Sequence, residues 1–155
     1  MIFNLEANSR EENQYRIIEN WLKNRQALIV SFNHLCMLKP FDTPTADIAA
    51  IKEALDDFCQ HLIDYVCIGQ FHLFEKIARD IPKHSLDRPV LNRLLRMTLQ
   101  AIHFNDQYTQ PEDLRKLEGE LSLLGENIAL RLELEDELLN RYSSLFRLQP
   151  YRAAN

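Results

Sequence analysis

The stretch ALDDFCQHLIDYVCIGQFHLFE, residues 54–75, decides the fold class because its hydrophobic residues recur at the spacing of an α-helix. Placed on a helix together with its flanks, the stretch separates into two opposed faces. The apolar face predicts a buried core and consists of Ile48, Ile51, Leu55, Phe58, Cys59, Leu62, Val66, Leu73 and Ile77. The opposite face consists of Glu53, Asp57, Gln60, Asp64, Cys67, Ile68, Phe71 and Glu75.

This second face differs from an ordinary solvent face because it sets apolar residues among acids. Cys67, Ile68 and Phe71 lie between carboxylates along the helix. Apolar anchors ringed by acids are typical of a surface that docks onto a basic, partly apolar partner. A second buried face inside a helical bundle explains the same pattern, and periodicity alone does not choose between the two interpretations.

The composition indicates one helical domain. Of the 155 residues, 46% are hydrophobic and 26% are charged, which suits a globular chain with a sizeable core. Three glycines and six prolines are too few for a many-turned β fold, and the abundant leucine, glutamate and arginine favour helix. We therefore expect a single domain over residues 1–155.

Charge and cysteine usage narrow the functional classes. A net charge of −5, without any run of lysine or arginine, disfavours direct binding to nucleic acid. The first residues lack the basic and apolar regions of a secretory signal, and no apolar run approaches the roughly 20 residues of a membrane span. Cys36, Cys59 and Cys67 form no CxxC pair, so reduced thiols in a cytoplasmic protein are the simplest explanation.

Four helical segments are predicted from periodicity and from the residues that interrupt it. Ser9, Thr43, Asp87 and Thr109 are the predicted N-caps, with Ser9–Glu12 and Thr109–Glu112 as capping boxes. Gly69 lies inside the second helix, where it either permits a close approach by another helix or marks a kink. Short connections make an all-α, antiparallel four-helix bundle the natural architecture. The predicted helices cover residues 9–38, 44–81, 87–105 and 109–148.

The last helix carries a charged residue on its core stripe. Glu135 falls among leucines, and an isolated buried carboxylate is costly, so we expect it to pair with Arg131 or with another helix. On the other side of this helix, leucines either pack on residues 82–110 or form a second contact surface; they are Leu123, Leu130 and Leu134. Predicted core residues of the first and third helices include Tyr15, Trp21, Leu22, Leu94 and Leu95.

Catalytic and metal chemistry is poorly supported. Asp57, His61 and Asp64 share one helical side at a spacing that could ligate a metal, but they lie away from the predicted core, where a bundle metal site is built. The histidines and cysteines lack zinc-ligand spacing, and three glycines supply no phosphate-binding loop. We expect no enzyme activity, no metal and no cofactor.

The same stretch resembles the Rsd/AlgQ family of bacterial regulators. The similar pattern is ALDDFCQxLxDYxxxGxF, continued by Phe74 and Glu75. Gln70 replaces the usual histidine of GHF, His61 stands where a small residue is common, and Cys67 stands where serine is usual. The resemblance is weak over residues 79–113. Elsewhere it includes Trp21-Leu22, Arg25, Leu28, Val30, Asn33, Leu35, Lys39-Pro40, Leu121-Ser122, Gly125-Glu126, Arg131, Leu134-Glu135-Asp136 and Leu138.

This resemblance implies an anti-sigma factor that binds the housekeeping sigma factor (sigma D) of RNA polymerase. Binding at the C-terminal region 4, one-to-one, would keep sigma from polymerase and from the −35 promoter element. The family pattern implies contacts by Asp64, Cys67 and Phe71, with Ile17 on the first helix. With Asp57, Ile68 and Glu75 from periodicity, these residues form the predicted acidic–apolar face.

The resemblance also allows a second regulatory partner, such as the phosphocarrier protein of the sugar phosphotransferase system, without assigning residues to it. Two rival hypotheses remain open at this point. One is a helical adaptor for such another regulator, which would share the acidic–apolar face but ignore sigma. The other is a metal- or ligand-sensing bundle, which would need Asp57, His61 and Asp64 to face a cavity.

Overall fold

A computed structural model of the chain describes residues 2–111 and 113–146, with side chains from residue 15 onward. Throughout these ranges the regular elements are helical, which confirms the predicted all-α class. The elements are α1 (Ile2–Cys36), α2 (Ile48–Ile68), a π-helical turn (Gly69–Phe74), α3 (Glu75–Asp80), α4 (Arg88–Tyr108), α5 (Leu117–Arg141) and a 3-10 turn (Ser143–Phe146).

Aromatic side chains connect the long helices through the core. The Trp21 ring of α1 stacks on Tyr65 of α2 with centroids 5.2 Å apart. Phe58 of α2 lies 5.7 Å from Phe32 of α1 and 6.0 Å from Phe104 of α4, again between centroids. α2 is therefore the central helix, packed between α1 and α4. None of the helices, as far as they are described, has the length and apolar character to cross a membrane.

The predicted second helix consists of three consecutive segments, α2, the π-helical turn and α3. It begins later than predicted because Asp47, not Thr43, is the N-cap. The Asp47 carboxylate accepts a hydrogen bond of 3.1 Å from the Ala50 N–H, which satisfies one of the free donors at the helix start. Thr43 lies in the preceding turn, its hydroxyl 3.5 Å from that of Thr45. The predicted cap at Thr43 is wrong, whereas the end of this helical run near Ile81 is confirmed.

Two other helix starts also differ from prediction. α1 begins at Ile2, so Ser9 does not start it, and the side chains of Ser9 and Glu12 lie outside those described. α5 begins at Leu117, so the predicted cap at Thr109 is wrong. Thr109 follows α4 directly, and its hydroxyl donates to the Asn105 carbonyl at 2.5 Å. The predicted partner Glu112, and the predicted helix end at Leu148, lie outside the described residues.

Asp87 precedes α4 as predicted, but its carboxylate does not cap the helix. It accepts hydrogen bonds from the Arg141 guanidinium and the Tyr142 hydroxyl instead. A buried carboxylate is thereby paired with a cation and a hydroxyl. Asp87 thus ties the start of α4 to the end of α5.

The predicted core stripe of α2 is confirmed except at its first residue. Ile48 is exposed, whereas every other predicted position from Ile51 to Ile77 is buried. Leu22 and Leu95 are also exposed, because each follows a buried residue, Trp21 or Leu94, and one further residue rotates a side chain by about 100° away from the core. Tyr15 is exposed as well. Of the three α5 leucines, Leu123 is exposed, while Leu130 and Leu134 pack partly against the core.

Candidate functional site

The residues of the acidic–apolar face on α2, the π-helical turn and α3 differ in exposure. Asp57 and Glu75 are exposed, whereas Asp64, Cys67 and Ile68 are half-buried. Phe71 is 55% exposed, which is unusual for a phenylalanine and contradicts a second buried face at this position.

The π-helical turn determines which side chains point outward at this end of the face. Gly69, Gln70, Leu73 and Phe74 are buried, and Phe71 is exposed between them. A Cβ atom at Gly69 would lie 3.0 Å from Trp21 Nε1 and 3.1 Å from the Phe74 ring. Gly69 therefore permits a close approach of α1, one of the two roles that the sequence left open.

Ile17, the α1 residue assigned to the face by family resemblance, is half-buried and packs partly against the core. It precedes Trp21 by about one helical turn, and Trp21 contacts the π-helical turn at Gly69 and Phe74. Ile17 therefore lies on the helix that supports the face, and less of it is exposed than of Phe71.

The electrostatic character of the face is negative. Asp64 accepts a hydrogen bond of 3.2 Å from Gln60, and Asp57 lies 3.4 Å from His61 Nε2. Burial raises the pKa of the Cys67 thiol, and the neighbouring Asp64 raises it further, so Cys67 is a neutral side chain at physiological pH. Beyond Asp57, an open cleft of about 480 Å³ extends the acidic surface; its lining includes His34, Glu53, Asp56 and Gln60.

The alternative metal interpretation finds little geometric support. His61 contacts Asp57, but Asp64 is hydrogen-bonded to Gln60. In the part of the chain that the structure describes, no group of three or more histidine, cysteine, aspartate or glutamate side chains is placed to hold a metal ion. Cys36, Cys59 and Cys67 are free thiols.

Glu135 lies in a buried polar cluster that connects α1, α2 and α5. Its carboxylate accepts a hydrogen bond of 2.6 Å from the Tyr65 hydroxyl and one of 3.3 Å from Arg131 Nε. Arg25 donates to the Tyr65 hydroxyl at 2.9 Å and lies 3.7 Å from Glu135. Asp136 binds the outer side of Arg25 at 2.8 Å. The predicted structural ion pair of Glu135 and Arg131 is thereby confirmed.

Burial has the largest effect on the pKa values of the residues in this cluster. It raises the pKa of Glu135 above its usual range, an effect that Arg131, Tyr65 and Arg25 oppose. Burial likewise raises the pKa of Tyr65, and the Glu135 carboxylate adds to the shift. Desolvation lowers the pKa of Arg25, but its interactions with Tyr65, Glu135 and Asp136 together more than compensate, so that its pKa is raised. The Tyr65 hydroxyl therefore stays a neutral donor to Glu135.

The polar cluster extends to the π-helical turn through Thr98. Arg131 Nη1 donates to the Thr98 hydroxyl at 2.9 Å and to the Leu94 carbonyl at 3.2 Å. The Thr98 hydroxyl lies 3.3 Å from Gln70 Oε1 and 3.0 Å from the Leu94 carbonyl, and these two acceptors share its single proton. Sequence reasoning missed this role of Gln70. The available signal was its position one turn after Val66, in phase with the core, where a polar side chain needs a buried partner.

Comparison with known proteins supports the resemblance found in the sequence. A family model described as "Regulator of RNA polymerase sigma(70) subunit, Rsd/AlgQ" matches residues 1–143. A regulator of sigma D from Pectobacterium carotovorum subsp. carotovorum (strain PC1) is 33% identical over 132 residues, which cover 79% of this chain and 85% of that protein. The regulator of sigma D from Yersinia enterocolitica is 30% identical over 132 residues, covering 79% and 78% respectively.

No solved structure matches this chain. The family model nevertheless spans more than half of the sequence, including every residue of the acidic–apolar face. The chain belongs to the Rsd/AlgQ family of regulators of the RNA polymerase sigma(70) subunit.

Proposed function

We propose that this protein is an anti-sigma factor that binds region 4 of the housekeeping sigma factor one-to-one, in the cytoplasm, and keeps it from polymerase and from the −35 promoter element. The observation that carries the proposal is Phe71, a 55% exposed aromatic residue within a carboxylate-lined helix face. Aromatic residues, phenylalanine among them, are enriched in protein interfaces. The relatives' name, regulator of sigma D, supports sigma as the partner.

The chemistry of the partner fits the acidic–apolar face. A protein surface that contacts DNA phosphates must be basic, and region 4 has such a surface because it reads promoter DNA. Asp57, Asp64 and Glu75 supply complementary charge, which accelerates association and orients the partner. Phe71, with the half-buried Ile68 beside it, supplies the desolvated anchor that carries more of the affinity. Binding would therefore exclude DNA from the same sigma surface.

The remaining residues of the predicted site have supporting roles in this proposal. Cys67 is half-buried between Asp64 and Phe71 and remains neutral, so it adds contact area without adding charge. Ile17 adds apolar area from α1 at the edge of the face. The acidic cleft beside Asp57 offers space for a basic side chain of the partner. The face as a whole then has an apolar centre and an acidic rim.

The proposal includes a single domain in which the four long helices form an antiparallel bundle. The order of contacts supports this arrangement for α1 and α2. Arg25 contacts Tyr65, whereas Phe32, later in α1, contacts Phe58, earlier in α2. The contacts between α4 and α5 run in the same opposed order. Such a bundle would hold the outer side of α2 as a rigid platform.

Calorimetric titration of the full chain with the isolated region 4 domain of the housekeeping sigma factor tests the proposal. We expect saturable one-to-one binding for the natural sequence. Phe71→Ala should weaken it by about 30-fold, since loss of a hot spot costs about 2 kcal/mol. Leu99→Ala is the matched control, because Leu99 on α4 is similarly exposed at 57% but lies outside the acidic–apolar face. Its affinity should equal that of the natural sequence.

The contribution of charge is measured separately with a double substitution, Asp57→Asn and Asp64→Asn. Association should slow and depend less on salt, because steering by exposed charges acts mainly on the association rate and is screened by ions. Circular dichroism verifies that each variant is folded. Absence of saturable binding at tens of micromolar would contradict the anti-sigma proposal and favour an adaptor for another regulator. Equal losses in Phe71→Ala and Leu99→Ala would contradict the assignment of the face.

A further inference from the structure

The π-helical turn interrupts the α-helical hydrogen-bond pattern directly beneath the proposed anchor Phe71. The Gly69 N–H donates to the Tyr65 carbonyl, four residues earlier as in an α-helix, and also to the Val66 carbonyl, three residues earlier. The Glu75 N–H instead donates to the Gln70 carbonyl, five residues earlier. A turn closed by such bonds accommodates one residue more than an α-helical turn. The direction of Phe71 relative to Asp64 therefore depends on whether this turn is maintained.

Gln70 is the polar residue that the turn places in the interior. Gln70 is 6% exposed and lies against α4, where its Oε1 accepts at 3.3 Å from the Thr98 hydroxyl, whose single proton is shared with the Leu94 carbonyl at 3.0 Å. Thr98 is itself held by Arg131, at 2.9 Å, and Arg131 by the buried Glu135. A buried amide without a partner is costly, so the turn is most stable when Gln70 reaches Thr98.

We propose that Gln70 is a positioning residue for partner binding: by joining the π-helical turn to Thr98, it holds the turn in the form that directs Phe71 outward beside Asp64 and Cys67. The inference rests on the proposed function of the acidic–apolar face. Gln70 is buried and would not touch the partner. It acts only through Phe71, one residue further along the chain.

A double-mutant cycle separates this positioning role from a general loss of stability. Gln70→Met retains the length of the side chain but removes the acceptor oxygen. We expect it to weaken region 4 binding about tenfold in the natural background and to change affinity less than about twofold in the Phe71→Ala background, since coupled residues are non-additive. Gln70→Glu retains an acceptor oxygen and should bind more tightly than Gln70→Met. A purely structural role would weaken binding equally in both backgrounds.

Deletion of the exposed His72 tests the turn itself. Removing one residue lets an α-helical turn replace the π-helical turn while the buried Leu73 and Phe74 keep their places along the helix. We expect this variant to retain its helical circular dichroism and cooperative unfolding but to bind region 4 at least about tenfold more weakly. Ile51→Val is the control for destabilisation, because Ile51 is buried at the other end of α2. It should lower stability without changing affinity.

The outcomes distinguish this inference from the proposed function. If the natural sequence fails to bind region 4, the proposed function fails, and the inference fails with it. If Phe71→Ala weakens binding but Gln70→Met does not, the positioning role is overturned while the anti-sigma proposal stands. The same conclusion follows if Gln70→Met lowers the affinity for region 4 by the same factor in the natural and Phe71→Ala backgrounds. Undiminished binding after deletion of His72 would likewise overturn it.

Discussion

Replacement of Glu135 by alanine should be among the most destabilising single changes in this chain. The carboxylate is 0% exposed and lies within 3.7 Å of two guanidinium groups, those of Arg25 and Arg131. It also accepts a 2.6 Å hydrogen bond from the Tyr65 hydroxyl. Glu135→Ala leaves two partly or fully buried cations and one buried hydroxyl without their common acceptor.

The expected magnitude follows from what remains after the substitution. Arg131 keeps its hydrogen bonds to Leu94 and Thr98, and Arg25 keeps Asp136, so neither cation is left without any partner. Breaking one side of a buried ion pair nevertheless costs about 3–5 kcal/mol. For a chain of this size, that loss corresponds to a decrease in Tm of roughly 6–20 °C. Glu135→Gln should cost less, because its amide oxygen still accepts from Tyr65.

Urea unfolding followed by tryptophan fluorescence measures this loss directly. Trp21 is the only tryptophan, is fully buried and stacks on Tyr65, so its emission reports on the cluster. Glu133→Ala is the matched control, since Glu133 is exposed on the same helix and should change stability by less than about 0.5 kcal/mol. If Glu135→Ala lowers the free energy of unfolding by less than about 1 kcal/mol, the view that the buried carboxylate neutralises the two arginines is refuted.

Two further predictions concern packing and ionisation. Gly69→Ala should destabilise the fold by about 1–3 kcal/mol, because the new Cβ would lie 3.0 Å from Trp21 Nε1. Gly119→Ala should stabilise the fold by up to about 1 kcal/mol, because no atom lies within 4 Å of its Cβ position. Urea unfolding tests both predictions, since the two substitutions should change the free energy of unfolding in opposite directions. Burial raises the pKa of the Cys59 thiol from 9.0 to about 12. Between pH 9.0 and 12 unfolding therefore releases the thiol proton, so the free energy of unfolding should fall as pH rises through this range. It should fall less steeply in Cys59→Ala, and equal pH dependence of unfolding in the two proteins would contradict this assignment.

The sequence was sufficient to predict the all-α class and the buried stripe of α2. Residues from Ile51 to Ile77 repeat with the helical period, and this local pattern coincides with the side that packs on α1 and α4. Helix starts were harder to predict, because several residues near each start are acceptable caps. Thr43 and Asp47 are both good N-caps by type, but only Asp47 lies where its carboxylate reaches a free N–H.

Asp87 illustrates a second reason for such errors. An aspartate before a helix is ordinarily a cap, and the residue does precede α4. Its carboxylate is instead bound by Arg141 and Tyr142, which follow it in sequence by more than 50 residues. The guanidinium and the hydroxyl together give this buried carboxylate two charge-assisted hydrogen bonds. That choice depends on tertiary contacts, which periodicity and cap preferences do not contain.

The π-helical turn is the feature of the site that the sequence conceals most fully. Val66, Gln70, Leu73 and Ile77 follow one another at intervals of four, three and four residues, which an uninterrupted α-helix would also bury. The spacing of these residues therefore gives no local signal of the turn. What differs is the direction of Phe71. That direction depends on two contacts between distant parts of the chain, Gln70 with Thr98 and Gly69 with Trp21. Helical periodicity could identify Phe71 as an anchor, but the contacts of its buried neighbours decide where the anchor points.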